Sequence, residues 1–134
     1  NPFDNDFIAI GESMAEKYLS IIGGNVNARI RLSDVVLIER KNRKLHVVTE
    51  GRSFDYYEKI ENVEPILDGR FYPCLKGCYI NMERVEAMAE QSIYFDNGTR
   101  FELGRDNFIK AKRNYKHYLQ KKAEFQGNSA CNSG

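Results

Sequence analysis

The chain contains no tryptophan, and only three prolines, three cysteines and two histidines occur among its 134 residues. It also lacks any run of about 18 apolar residues, so no segment is expected to span a membrane as a helix. An odd number of cysteines fits a reducing compartment better than a disulfide scaffold. No signal-peptide pattern opens the chain, and we therefore expect a cytoplasmic protein. The abrupt start at Asn1, without an initiator Met, predicts a fragment of a longer protein.

The few cysteines and histidines do not form a metal motif. Cys74 and Cys78 are separated by three residues, but zinc needs about four ligands, and His46 and His117 have no regular spacing with the pair. No glycine-rich phosphate cradle follows a strand, and no nucleophile has an orienting His in a recognisable motif. We therefore expect no metal, no cofactor and no enzymatic activity.

The net charge is only +1, but the charged residues are segregated along the chain. Residues 40–44 contain four Lys/Arg, and residues 105–122 contain seven against a single acid, Asp106. Compensating acids lie elsewhere, notably between residues 55 and 68. A chain with this distribution can present a positive face to an anionic partner while it stays near neutral overall.

Hydrophobic periodicity predicts a mainly β domain. The turn Asp96-Asn97-Gly98 and the polar tip Lys41-Asn42-Arg43 each indicate a β-hairpin. The strands expected from alternating or continuous apolar residues are 17–22, 28–32, 35–38, 45–49, 52–57, 78–87, 92–95 and 99–103.

Two helices interrupt or follow these strands. A short acidic helix begins near Ile60 and should end or bend near Glu64, because Pro65 lacks a backbone donor. A second helix is expected from Asp106, interpreted as its N-cap. Its apolar face comprises Phe108, Ala111, Tyr115, Tyr118 and Leu119.

The ends of the chain are expected to lie outside the folded unit. Residues 1–14 show no clean period and are interpreted as a linker or a fragment of a preceding region. Residues 121–134 are rich in Asn, Ser and Gly towards their end and are expected to form a disordered tail. The folded domain is therefore expected at residues 15–120.

Three segments, in the same order, resemble the signature of the LytTR family of bacterial DNA-binding domains. Residues 32–39, LSDVVLIE, are similar to the family's L-x-D-I-x-Y-I-E strand. Residues 71–82, FYPCLKGCYINM, are similar to its aromatic-led segment, in which a His-Arg-Ser-like tripeptide leads into a Tyr/Phe-Ile-Val-Asn strand. Residues 103–108, LGRDNF, are similar to its V-S-R-x-x-hydrophobic ending. The resemblance covers residues 17–119 and implies antiparallel strands in small stacked sheets with short helices.

The resemblance also implies which residues contact DNA. In this family the loop after the I-E strand enters a groove, and the tripeptide, usually His, a polar or basic residue, and Ser, forms a second contact. An Arg just before the C-terminal helix reads a base in a second groove. Arg, Asn and Lys in such loops can bind guanine, adenine and phosphate. The contacts expected here are Lys41, Asn42, Arg43, Lys44, Leu45, His46, Leu75, Lys76, Gly77 and Arg105.

The function that the resemblance implies is sequence-specific binding of double-stranded DNA in bacterial transcription regulation, as the output domain of a two-component response regulator. It further implies a second copy on repeated DNA sites, a receiver or sensor domain in the full-length protein, and no membrane partner. Leu75 and Gly77 depart from the family tripeptide. A protein–protein interaction module on the same β scaffold, with weakened or lost DNA binding, is therefore the alternative.

Overall fold

The computed structural model describes residues 16–133, with side chains as far as Ala123. Over this range the chain forms ten strands and two α-helices. The strands are β1 (Tyr18–Ile22), β2 (Asn27–Arg31), β3 (Val35–Lys41), β4 (Lys44–Thr49), β5 (Arg52–Tyr57), β6 (Phe71–Leu75), β7 (Cys78–Asn81), β8 (Val85–Ala89), β9 (Ser92–Phe95) and β10 (Arg100–Glu102). The helices are α1 (Ile60–Val63) and α2 (Arg105–Ser133).

The strands form three antiparallel sheets. The central sheet has the order β5-β4-β3-β7-β6, and it lies between the pair β1-β2 and the three-stranded sheet β10-β9-β8. Every neighbouring pair of strands is antiparallel. The predicted mainly β fold of small stacked sheets with a C-terminal helix is confirmed.

The two faces of the central sheet carry two separate hydrophobic cores, because side chains alternate between the faces of a strand. On β3, Ile38 packs with the side chains of β1, β2 and α1. Its neighbour Leu37 packs on the opposite face with the three-stranded sheet and the first turns of α2. Burial on both faces explains why residues 35–38 read as a continuous apolar run.

Residues 78–87 do not form one strand, as the sequence predicts, but two strands in different sheets. β7 ends at Asn81, a 3₁₀ turn spans Met82–Arg84, and β8 begins at Val85. The fully buried Asn81 amide donates to the carbonyls of Leu32 (3.3 Å) and Val35 (2.8 Å), and its Oδ1 accepts from the Glu83 N–H. These three bonds turn the chain out of the central sheet.

The C-terminal helix begins two residues earlier than an N-cap at Asp106 predicts. Arg105 is its first residue, so Asp106 lies in the first turn and is not the N-cap; an acid there still complements the helix dipole. Phe108 and Ala111 are buried against the central sheet as expected, whereas Leu119 remains 47% exposed.

The backbone stays helical to Ser133, which differs from the disordered tail expected over residues 121–134. Lys121, Lys122 and Ala123 are good helix formers and extend the helix beyond the predicted domain. Residues 1–14, expected to be a linker, lie outside the described range. Between residues 16 and 133 no helix has both the length and the apolar character to cross a membrane.

Replacement of Asn81 by Ala should cost about 2–4 kcal/mol of unfolding free energy, because it removes three hydrogen bonds, two of them from a buried amide to buried carbonyls. Urea unfolding followed by circular dichroism measures this. Asn62→Ala is the matched control, since the side-chain amide of Asn62 donates to the exposed carboxylate of Glu58, and its loss should cost less than about 0.5 kcal/mol. Equal losses in the two variants would contradict the role of Asn81.

Candidate nucleic-acid interface

Two short hairpin tips lie side by side at one end of the central sheet. The β3–β4 tip is the two-residue loop Asn42-Arg43, closed by the pair Lys41↔Lys44. The β6–β7 tip is the two-residue loop Lys76-Gly77, closed by the pair Leu75↔Cys78. β3 and β7 are neighbouring strands, and the Arg40 N–H donates to the Gly77 carbonyl at 2.8 Å. The sheet therefore joins two loops that are 34 positions apart at Asn42 and Lys76.

Both tips need a residue in the left-handed region of backbone space. Asn42 has φ of 59° and Gly77 has φ of 75°. Asn and Gly adopt positive φ at lower cost than other residues, so each loop can close in two residues. Short loops of this kind project few side chains, and those are held at fixed positions by the flanking strands.

The first tip is basic and exposed. Lys41 Nζ lies 3.1 Å from Glu39 Oε1, and the Lys44 ammonium lies 4.8 Å from the centroid of the Tyr57 ring. Arg43 is exposed and forms no ion pair with any residue of the described range. Tyr57 itself is 71% exposed, and sequence reasoning missed it as a surface residue of this tip. The alternation in which Tyr56 is buried and Tyr57 is not could have revealed it.

Two expected contacts on β4 lie behind the tip. Leu45, expected from the sequence as a DNA contact, is completely buried in the core between the central sheet and β1-β2, so its side chain does not reach the surface. Its side chain points to the face that also holds Val47, because the two residues are one strand period apart. His46 faces the other side of the sheet, where its Nδ1 lies 2.8 Å from Asp55 Oδ1. The neighbouring carboxylate makes His46 a weaker site for phosphate.

The second tip exposes Leu75 and Lys76. Leu75 is 38% exposed, and Lys76 is also exposed, so both are available to a ligand. Behind them, Cys74 and Cys78 are buried with their Sγ atoms 3.6 Å apart. The hydrogen bond to Cys74, together with burial, raises the pKa of Cys78 and keeps that thiol neutral. In the described part of the chain, no three His, Cys, Asp or Glu side chains are grouped so that they could hold a metal ion.

Arg105 lies on a different element from the two tips. It is exposed in the first turn of α2, whereas both tips belong to the central sheet. The segment before it is fixed by two hydrogen bonds between Leu103 and Gln91. The Leu103 N–H donates to the Gln91 carbonyl at 2.9 Å, and the Gln91 side-chain amide donates to the Leu103 carbonyl at 3.1 Å. Exposed cations continue along the helix at Lys110, Lys112, Arg113 and Lys116.

Comparison with known proteins identifies a family for most of this chain. Residues 26–122 match the sequence model of the LytTr DNA-binding domain. A solved structure described as the LytTr DNA-binding domain of a proposed methyl-accepting/DNA response regulator from Bacillus cereus has a similar fold, with a TM-score of 0.56. Its sequence identity is 18%, and the likeness covers 80% of this chain and 96% of that one. Among curated proteins no significant match was found.

The different burial of the two leucines at the tips gives a direct test of this surface. Leu45→Ala should lower the unfolding free energy by about 2–5 kcal/mol, because it opens a cavity in a closed core. Leu75→Ala should cost less than about 1 kcal/mol, because Leu75 is partly in contact with water already. Denaturant unfolding of both variants checks the assignment, and similar losses would mean that Leu75 also belongs to the core.

Proposed function

The chain belongs to the LytTr DNA-binding domain family, and from this membership and the surface described above we propose that it binds double-stranded DNA with sequence specificity in bacterial transcription regulation. The observation that carries the proposal is the junction of two hairpin tips, one with Arg43 and Lys44 and the other with Lys76. The tips share one end of the central sheet through the Arg40–Gly77 hydrogen bond. Loops of this size fit a DNA groove, and their cations complement its phosphates.

Each tip supplies a different kind of contact in the proposed complex. Lys41, Lys44 and Lys76 attract and neutralise phosphates, which position the domain. Asn42 and Arg43, at the extreme end of the first loop, can pair with adenine or guanine edges. Leu75 offers an apolar surface to a thymine methyl group. His46 contributes at the margin of the interface, and Leu45 is removed from it.

Arg105 is proposed to read a base in a second groove. A cation gains nothing from the dipole at the start of a helix, where negative groups are favoured, so its position needs another reason. An exposed guanidinium can donate two parallel hydrogen bonds to guanine O6 and N7. Because Arg105 stands on α2 and the tips on the central sheet, the domain would contact DNA at two separate places.

The wider setting of the domain is also part of the proposal. The Bacillus cereus protein with the similar fold is described as part of a response regulator. By analogy, we place this chain as the output domain of a two-component response regulator in the cytoplasm, with a receiver or sensor domain in the full-length protein. Two copies would then bind repeated DNA sites. We assign the domain no catalytic role.

An open groove beside α2 favours the alternative function, a protein–protein interaction. It has a volume of about 850 Å³, and its apolar lining includes Met88, Ile109 and Leu119. Lys112, Arg113 and Lys116 border the same groove, so a partner helix with an apolar stripe and acidic flanks would complement it. None of the proposed DNA contacts lines the groove, which means that the two functions need not exclude each other.

The proposal is tested by enrichment of duplexes from a random-sequence DNA pool on the purified chain, followed by titration at several salt concentrations. We expect one enriched motif, bound about 10³-fold or more tightly than scrambled duplex. Its affinity should fall linearly with the logarithm of salt concentration. A folded chain that enriches no motif and shows no salt-dependent binding would leave the protein-interaction module as the function.

Arg105→Ala should weaken binding to the enriched duplex by about 1–3 kcal/mol and relax base preference at one position, if Arg105 reads a base. Fluorescence anisotropy on the enriched duplex and on single-base variants measures both effects. Equal losses on the enriched and the scrambled duplex would reassign Arg105 to a phosphate contact.

Replacement of both Arg43 and Lys44 by Gln should flatten the slope of log affinity against log salt by roughly two units, because two cations then no longer displace counterions from the DNA. The double variant Arg29→Gln/Arg31→Gln provides the charge-matched control, since β2 belongs to a different sheet. The control should keep the original slope. An unchanged slope in the tip variant, with folding intact, would remove residues 43 and 44 from the interface.

A further inference from the structure

The side chain of Arg40 lies against the bare backbone of Gly77. Arg40 is the penultimate residue of β3, and its N–H bonds to the Gly77 carbonyl across the gap between the two hairpin tips. A Cβ atom added to Gly77 would lie 3.3 Å from Arg40 Cβ and 3.4 Å from Arg40 Nε. Arg40 therefore uses space that a side chain at position 77 would take.

Comparison of Gly77 with other glycines of positive φ separates two reasons for which a position requires glycine. Gly51 and Gly98 also adopt positive φ, of 85° and 91°, but an added Cβ at either position would meet nothing within 4 Å. Their glycines serve backbone conformation alone. Gly77 serves both backbone conformation and the close approach of Arg40.

The guanidinium of Arg40 is charged and exposed, and it borders an open groove that Glu58 and Glu61 also line. Within the described residues Arg40 forms no ion pair, and the adjacent carboxylate of Glu39 is engaged by Lys41 at 3.1 Å. By contrast, Arg70 and Arg84, which serve the fold, each contact at least two carboxylates. An arginine without an acidic partner, held against a neighbouring turn, is suited to an external anion.

We infer that Arg40 binds a DNA backbone phosphate between the two hairpin tips, and that Gly77 is a positioning residue that leaves room for it. The inference rests on the proposed DNA binding, and it changes the expected role of Gly77 from contact to support. A phosphate is favoured over a base edge because Arg40 lies in the strand, set back from the loop residues Asn42 and Arg43. A planar guanidinium can bind phosphate through two parallel hydrogen bonds.

Arg40→Ala tests the contact itself. Affinity should fall by a similar factor, about 10-fold, on the enriched and the scrambled duplex, and the salt slope should flatten by about one unit. Arg29→Ala is the control, because that guanidinium lies 4.1 Å from the centroid of the Tyr18 ring, on another sheet. It should leave both affinity and slope unchanged. A loss confined to the enriched duplex, with relaxed preference at one base, would overturn the phosphate assignment.

Gly77→Asn tests the positioning role, since Asn tolerates positive φ but adds a Cβ beside Arg40. It should weaken DNA binding about as much as Arg40→Ala does, and the double variant should be little worse than either. Gly98→Asn imposes the same backbone demand where there is space, and should bind normally. Additive losses from the two changes would contradict the coupling between Arg40 and Gly77.

Thermal unfolding of every variant separates binding from folding. If Gly77→Asn lowers the melting temperature far more than Gly98→Asn does, the Arg40→Ala data alone decide the contact. If Arg40→Ala binds normally while Arg43→Gln/Lys44→Gln weakens binding, the inference about Arg40 is wrong and the proposed function stands. If the unaltered chain binds no duplex, the proposed function is wrong, and the inference about Arg40, which rests on it, is wrong as well.

Discussion

The buried amide of Asn81 is the interaction on which the arrangement of the three sheets depends. It stands where β7 leaves the central sheet, and it donates to the carbonyls of Leu32 and Val35. Leu32 is the first residue of the 3₁₀ turn Leu32–Asp34 between β2 and β3, and Val35 directly follows that turn. That turn carries the chain into the central sheet, and the turn after Asn81 carries it out. Arg84 adds a second link, because its guanidinium donates to the Ser33 carbonyl at 3.0 Å. Neighbouring β3 and β7 are thus held in register at the end opposite the hairpin tips, which makes the adjacency of the tips a consequence of the core.

Local chemistry was sufficient to predict most strands, since each has a strong periodic or turn signal of its own. The hairpin at Asp96-Asn97-Gly98 follows from residues that tolerate positive φ, and the structure has it between β9 and β10. The break at Asn81 could not be predicted in this way. β-prone residues occur on both sides of Asn81, at Tyr79, Ile80 and Val85, and only a partner 46 residues earlier in the chain, Val35, shows why the strand ends there. Asp106 was misplaced for a milder reason, because an acid suits both an N-cap and a first helical turn.

The candidate site was predictable in composition and only partly in geometry. The basic loop and the segment LKG stand out in the sequence, and the fold brings them together through β3 and β7. The two residues that follow the basic loop, Leu45 and His46, face opposite sides of the sheet and differ in burial, which the sequence signal of the loop does not reveal. The contact between Arg40 and Gly77 has no sequence signal at all. It arises from strand register and from the absence of a side chain, both of which are properties of the folded sheet.

A nearly neutral domain can still present a cationic end, because several of its acids are paired with arginines where the layers meet. Arg84 contacts Asp34, Glu50 and Asp96, and Arg70 contacts Asp68 and Glu83. Although burial acts to raise the pKa of Asp68, the hydrogen bonds and charge of Arg70 lower it on balance, so that carboxylate stays ionised and paired. The opposite charges of these ion pairs cancel locally, so they contribute little to the electrostatic potential at a distance. The cations at Arg40, Arg43 and Lys76 have no such partners in the described structure, and they stand in or next to loops that contribute no side chain to either core. Changes in these loops can therefore alter an interaction with an anion while the cores, and with them the fold, remain intact.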